Sequence, residues 1–322
     1  VPDTSTASAP ALTTYQGLDG PDVTVVLAVF NGATFLESQL VSLLDQVDVR
    51  WRLLWRDDGS ADNSVAIIES FLRGAGIASE RLHHPAHQLG VAGSYHALVR
   101  QAPPDHCIAF CDQDDVWLPH KLARAQAALH LVPADVPALY CARQLLVDAD
   151  LRPLGASMRL RPAPQFPMAL AQNIATGCTV MLNPAAAALL RAAPPPAGTL
   201  HDWWSYLLVS GAQGRIIVDP EPVVLYRQHG RNVVGAPHTA WRRAVAALRR
   251  GPGVFMALFR EHVAALCDHR ALLAPEAAAA AQDIQHALGA GTRDRLRVLR
   301  RYRLRRQTAL ETALFSAWFL LG

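Results

Sequence analysis

The sequence is sparing with the features that mark secreted, membrane-spanning or repeat proteins. It has five cysteines in 322 residues, Cys107, Cys111, Cys141, Cys178 and Cys267, an odd number with no CxxC spacing. Four of them sit in apolar runs, so they read as buried free thiols in a reducing compartment rather than as a disulfide framework or a zinc site. No signal-peptide pattern is visible at the N-terminus, and the apolar ending TALFSAWFLLG falls short of the roughly 20 residues that a bilayer-crossing helix needs. The expectation is a cytoplasmic protein whose tail could lie peripherally on the inner face of the cell membrane. A formal net charge of +3 is too small to define a partner, and there is no internal repeat.

With 51% hydrophobic residues, the chain can bury a core large enough for one big domain and an appendage, or for two modest domains. Residues 1–20, rich in Thr, Ser, Ala and Pro without periodicity, read as a flexible N-terminal arm. VTVVLAV, 23–29, has the continuous β-branched character of a strand covered on both faces. A helix over 33–44 follows, then a strand over 51–55, a helix over 64–73, a short strand at 81–83, a helix over 91–101 and the strand CIAFC, 107–111. Alternation at this spacing predicts an α/β fold with a mostly parallel central sheet, in which ligands bind beyond the carboxyl ends of the strands. Residues 138–230 are more mixed. Past Pro237 the composition turns to Ala, Leu and Arg, which predicts helices and a boundary near 236.

The polar punctuation falls at those strand ends. FCDQDDVWLPHK, 110–121, crowds Asp112, Asp114 and Asp115 at the tip of an apolar strand, an arrangement that demands a cation, a hydrogen-bond network or open water. In RDDGSADNS, Asp57 and Asp58 end a strand, Gly59 lets the chain turn, and Asp62 or Asn63 can cap the next helix. A plain strand-to-helix turn accounts for Asp62. It does not require the adjacent pair, one of which can accept the N3 hydrogen of a pyrimidine while the other orders the loop.

VTVVLAVFNGATFLESQLVSLLDQ, WRDDGSADNS, LGVAGSYHALVRQA and CDQDDVWLPHKL follow one another in the order and approximate spacing of the nucleotide-sugar domain of family 2 glycosyltransferases, which they resemble. ATGCTVMLN, HDWWSYLLVSGAQGRI and VVLYRQHGRNVVG extend the likeness, over about 22–236, toward the bacterial rhamnosyltransferase branch. The resemblance implies a GT-A glycosyltransferase domain over 21–236, with a donor half to about 135 and an acceptor half after it, followed by a helical, Arg-rich region over 237–322. It implies an inverting transfer of a sugar, L-rhamnose from dTDP-rhamnose on the branch likeness, to a hydroxyl of a glycan or lipid-linked glycan in cell-surface polysaccharide synthesis.

Residue by residue, the resemblance places Asp112 on the donor ribose and Asp114, with His229 of YRQHG, on Mg2+ or Mn2+. These ions favour few carboxylates plus substrate phosphates. Val29, Asn31, Asp57, Asp58, Gly90 and Arg227 join Asp112 as donor nucleotide-binding residues, with Arg231 as a second candidate for phosphate. Asp115 is a supporting or helix N-terminal carboxylate. Asp202 of HDWW matches the general base, although an Asp at a helix start also reads as a cap. Trp203 and Trp204 are the acceptor candidates, one expected in the site and the other in the core. His96 stands where relatives often carry Asn, which puts one donor-loop hydrogen bond in doubt. His83, His84, His96 and His201 carry no assigned function.

Other readings share some of these residues. A sugar nucleotidyltransferase needs a Gly-rich loop with Arg after the first strand, and VFNGATFLESQ has none. A metal-dependent phosphohydrolase could use the acids but gives no reason for HDWW or YRQHG. RDRLRVLRRYRLRR, 293–306, carries eight arginines and one acid and could meet nucleic acid, but its only aromatic is Tyr302. It leads instead into Leu310, Ala313, Leu314, Ala317, Trp318 and Leu321 at helical spacing, an apolar stripe that suits an anionic membrane surface through 293–321, its own domain or a second subunit.

Overall fold

The structure, a computed structural model, describes residues 22–84, 88–159, 165–230 and 240–322. The expected arm at 1–20, the boundary at 236 and Arg231 lie outside the described residues. In chain order the elements are β1 (Val23–Val29), α1 (Leu36–Leu44), β2 (Trp51–Asp57), α2 (Ser64–Ala75), β3 (Ser79–Arg81), α3 (Gly90–Gln101), β4 (Cys107–Cys111), β5 (Val116–Trp117), α4 (Lys121–His130), β6 (Ala138–Val147), β7 (Pro153–Ala156), β8 (Met181–Leu182), α5 (Pro184–Ala192), α6 (His201–Gly211), β9 (Arg215–Arg227), α7 (Ala240–Asp268), α8 (Pro275–Gly289), α9 (Thr292–Tyr302) and α10 (Ala309–Leu321).

They form one sheet in the order β3-β2-β1-β4-β8-β6-β9-β5, with β7 on the edge of β6. The long pairs β1/β2, β1/β4 and β6/β9 are parallel, and the short strands β8, β5 and β7 join antiparallel. β1 sits between β2 and β4 and is covered on both faces, as its unbroken apolar run requires. Register then brings the polar loops together. Val29 is level with Asp57, and Leu27 with Cys111, so the segments after β1, β2 and β4 leave the sheet at one edge. On the other side β9 pairs with β6 up to Val147–Arg227 and with β5 at Val116–Leu225, which delivers His229 beside the acids that precede β5.

All five cysteines are buried. One buried apolar cluster runs from Val26 and Phe110 through Trp204 and Leu208 to Phe259 and Phe319, so the C-terminal helices share their core with the sheet. α10 packs on α7 through Phe315 and Phe319, whose rings lie 5.9 and 5.6 Å from that of Phe259. The buried face of α10 is Glu311, Phe315, Trp318 and Phe319. The expected stripe is therefore misplaced by one residue, about 100° of helix: Leu310 is 54% and Leu321 86% exposed. The large aromatic rings choose the inward face, and the alanines that complete the apolar pattern have too little area to compete. Among the described residues no helix is long and apolar enough to cross a membrane.

Candidate active site

The site assembles at the shared strand edge, each loop held by hydrogen bonds to the next. After β1, Asn31 takes a left-handed conformation, φ +48°. Its N–H donates to Ser60 Oγ at 2.9 Å, and its Oδ1 accepts from the Ala61 N–H at 2.8 Å. Gln113, the middle residue of the acidic motif, holds the Phe30 backbone from both sides, accepting its N–H at 2.9 Å and donating to its carbonyl at 3.0 Å. A Cβ on Gly32 would lie 2.3 Å from Gln113 Oε1 and push that side chain off the Phe30 backbone.

The two aspartates after β2 divide their tasks. Asp57 accepts from the N–H groups of Gly59 and Ser60, ordering its own loop, and lies off the cavity lining. Asp58 lines the cavity and accepts from the N–H groups of Leu89 and Gly90 at 2.7 and 2.9 Å, while Arg56, buried in β2, pairs with it and donates to Ser94 Oγ at 2.7 Å. Asp58 thus builds the turn at Gly90, φ +68°, where a side chain would be strained. Arg56 escaped the sequence reading because a lone arginine in an apolar strand announces no partner. His96 bonds the backbone of Leu190, away from this loop.

At the acidic motif, Asp114 Oδ2 lies 2.8 Å from His229 Nε2 across 115 residues of sequence. His229 also packs on Phe35, ring centroids 4.8 Å apart. Asp112 accepts from the Tyr95 hydroxyl at 2.9 Å, and its carboxyl is pushed up to about 7 by burial and then by the charge of Asp114. Asp115 is fully buried behind them, close to Asp112 and the Cys178 thiol, with its Oδ1 accepting the Arg227 N–H at 3.0 Å. It precedes β5 rather than a helix, so the helix N-terminal alternative fails. The protein supplies a cation of its own: Lys121, the single lysine among 30 basic residues, is 2% exposed, and burial pulls its ammonium down to about 8 against the acids and thiols around it. That rarity was the one sequence signal that could have found it.

Arg227 has a different task from the expected phosphate contact. Its guanidinium donates to the Asp114 carbonyl at 2.8 Å, the Ala149 carbonyl at 2.5 Å and Ser38 Oγ at 3.0 Å, and stacks 4.5 Å above Phe35. Only 3% exposed and off the cavity lining, it fastens the end of β9 to the acidic loop.

Asp202 lies in the first turn of α6, one position inside the helix, so it is not the cap that the sequence allowed. Its Oδ1 accepts from Trp203 N–H at 2.6 Å and Asn173 Nδ2 at 3.1 Å, and its Oδ2 from Gly177 N–H at 2.9 Å. Burial raises its carboxyl to about 6, with those donors opposing. His201 beside it stacks on Tyr95 at 3.8 Å, its ring nitrogens buried without partners, and burial lowers it to about 3. The tryptophans separate. Trp203 lines the cavity with its indole N–H on the Ala169 carbonyl, whereas Trp204, 2% exposed, binds the Ala193 carbonyl inside the core and does not reach the cavity. Of the two acceptor candidates, Trp203 is therefore the one at the cavity and Trp204 the one in the core.

Val29, Asn31, Asp58, Gly90, Asp112, Asp114, His229, Asp202 and Trp203 all line one cavity of about 1190 Å³. Residues 24–150, which carry the loops after β1, β2 and β4 that line that cavity, match the model for glycosyl transferase family 2. Over that segment the chain is similar to glycosyl transferase family 2. The chain is 27% identical over 235 residues, 65% of its length and 74% of the relative's, to the dTDP-rhamnosyl transferase RfbG of Shigella flexneri. Its fold is GT-A-like: the crystal structure of S. aureus TarS 1–349 superposes with a TM-score of 0.54 at 16% identity, over 82% of this chain and 69% of that one. The same TarS fragment in complex with UDP gives 0.52 at 15% identity over the same shares.

Proposed function

We propose that this glycosyltransferase is an inverting, metal-dependent hexosyltransferase that moves L-rhamnose from dTDP-rhamnose to a hydroxyl of a glycan or lipid-linked glycan in cell-surface polysaccharide synthesis. One observation carries the reading: Asp202 shares its cavity with Asp112, Asp114 and His229, near enough that its charge adds to the rise in Asp112. The rhamnose donor rests on the likeness to RfbG.

Asp114 and His229 fit Mg2+ or Mn2+ as a sparse carboxylate and imidazole pair completed by donor phosphates. The group formed by Asp112, Asp115 and Cys178 fits these hard ions poorly, because it includes a thiol that burial and neighbouring acids keep protonated. Bound there, the ion would supply positive charge to the departing diphosphate. Asp112 takes the ribose, and the loops of Val29, Asn31, Asp58 and Gly90 enclose the nucleotide. Asp202 removes the acceptor hydroxyl proton as that oxygen bonds to the anomeric carbon. The bond from that carbon to the donor phosphate oxygen breaks in the same displacement, its electron pair leaving with the nucleoside diphosphate, so the configuration inverts. A carboxyl at about 6 is ionised at neutral pH yet a stronger base than an ordinary aspartate. Trp203 offers an apolar face to the acceptor. The work is placed at the cytoplasmic side of the membrane, with a peripheral contact through 293–321 that the outward Leu310 and Leu321 and the exposed Arg297 and Arg301 favour.

The test is transfer from dTDP-rhamnose, UDP-glucose, UDP-GlcNAc and GDP-mannose with and without Mn2+, with the product read by NMR and donor binding read by calorimetry. The expected result is rhamnosyl transfer of inverted configuration, abolished by chelation, with Asp114→Ala losing the metal-dependent part of nucleotide diphosphate binding. A retained configuration, or equal metal-dependent affinity in Asp114→Ala and parent, would overturn it.

A further inference from the structure

The cavity's volume of about 1190 Å³ exceeds the roughly 300–1,000 Å³ typical of a pocket for one small molecule, and its walls change character along it. Acids and His229 line one part. Beyond Asp202 and Trp203 the lining passes to α7 and α10, with Val254, Phe255 and Leu258 from the first and Leu314 and Trp318 from the second, and with Arg306 and Glu311 as the charged groups beside them. Phe255 joins the pieces: its ring lies 6.3 Å from that of Trp203 and 5.9 Å from that of Trp318. The apolar wall reaches solvent at the lining residue Val254, which is 68% exposed, and Leu310, 54% exposed, precedes the lining residue Glu311 in sequence.

Resting on the reading of Asp202 as the base, we propose that this wall is the aglycone subsite of the acceptor. It takes a hydrocarbon chain attached to the sugar whose hydroxyl lies at Asp202, and lets that chain leave over Val254 and Leu310. A nucleotide sugar is polar throughout and has its partners among the loops after β1, β2 and β4, so nothing in the donor calls for an aliphatic and aromatic wall. A purely hydrophilic glycan would leave the same wall facing hydroxyls and water. Continuity with the catalytic cavity, rather than the mere presence of apolar surface, makes the assignment. Each methylene that leaves water against such a wall is worth about fourfold in affinity.

The experiment uses the full chain and the probes methyl, hexyl and octyl glucoside, below their micelle concentrations, with binding followed by tryptophan fluorescence. Affinity is expected to rise at least about tenfold from methyl to octyl, within the reach of a few buried methylenes. Val254→Asp and Leu310→Asp, both at exposed positions where folding is not at stake, should remove most of that gain. Leu131→Asp, at a still more exposed leucine outside the cavity, should keep it. Nucleotide diphosphate affinity, measured alongside, should be the same in all variants. Chain-length-independent binding, or octyl binding by Val254→Asp and Leu310→Asp equal to that of the parent, overturns the subsite. Failure of the transferase reading would show separately, as no transfer from any nucleotide sugar while this chain-length dependence persists.

Discussion

Asp202 is a carboxylate whose two oxygens already accept three N–H donors, from Trp203, Asn173 and Gly177. Asn at this position keeps the shape but must turn its NH2 toward one of those donors, so Asp202→Asn should lose some stability as well as activity. The drop in transfer is expected at about 10²- to 10⁴-fold, the range general-base catalysis supplies. The pH profile separates the two effects. Activity should fall as pH drops through about 6, where burial has placed the carboxyl. Asn173→Ala removes a donor that favours the charged form, so its acid limb should move to higher pH while the maximal rate changes little; an unmoved limb would assign that limb to another group. Asp58 answers to a different physics. Its removal leaves the Arg56 guanidinium buried without its carboxylate, and losing one partner of a buried pair costs about 3–5 kcal/mol. Asp58→Ala should therefore shift urea unfolding by about that amount, and also weaken nucleotide binding, because the N–H groups of Leu89 and Gly90 lose their acceptor.

At the scale of the element, α10 shows how a periodic pattern can be right about a helix and wrong about its face. Counting apolar positions gives Leu310, Ala313, Leu314, Ala317, Trp318 and Leu321. Packing selects Phe315 and Phe319 because each can meet Phe259, and it accepts Glu311 on that side because the Thr308 hydroxyl donates to its carboxylate at 3.0 Å. Phe315→Ala should then cost about 3–5 kcal/mol, as large-to-small changes in a core do, whereas Leu321→Ala should stay within about 0.5 kcal/mol. Denaturant midpoints of the two variants decide which face is buried. The loops obey the same distinction. Asn31, Gly32, Asp58 and Gly90 stand out locally as turn residues, but the partners that make them a site, Ser60, Gln113 and Arg56, belong to other loops and strands.

At the scale of the whole molecule, one cavity passes from the acidic loops past Asp202 to the C-terminal helices. Donor and acceptor can then occupy it together, and a single displacement needs both present. Initial rates at varied donor and acceptor should give intersecting double-reciprocal lines; parallel lines, the mark of a covalent relay, would exclude direct transfer. The helical region is part of this arrangement rather than a separate attachment, since Trp203 and Trp204 flank His262 of α7, with ring centroids 4.8 and 6.3 Å away.

By itself, the sequence determined the parallel N-terminal half of the sheet, because β-branched runs, helix periodicity and turn residues are local properties that the chain carries wherever it goes. It also determined which strand ends are polar, and so the acids, Asp58 and Asp202 as candidates. Tertiary structure alone decided the rest. It joined His229 to Asp114 through the pairing of β9 with β5 and β6, and turned Arg227 from a ligand contact into a brace. It put Trp203 in the cavity and Trp204 in the core, though they are adjacent in sequence, because successive helix positions lie about 100° apart. Lys121 became the buried counter-charge of the acids. These outcomes depend on which distant groups share a low-dielectric interior, where an unpaired charge or donor is costly, and that is a property of the assembled fold rather than of any segment.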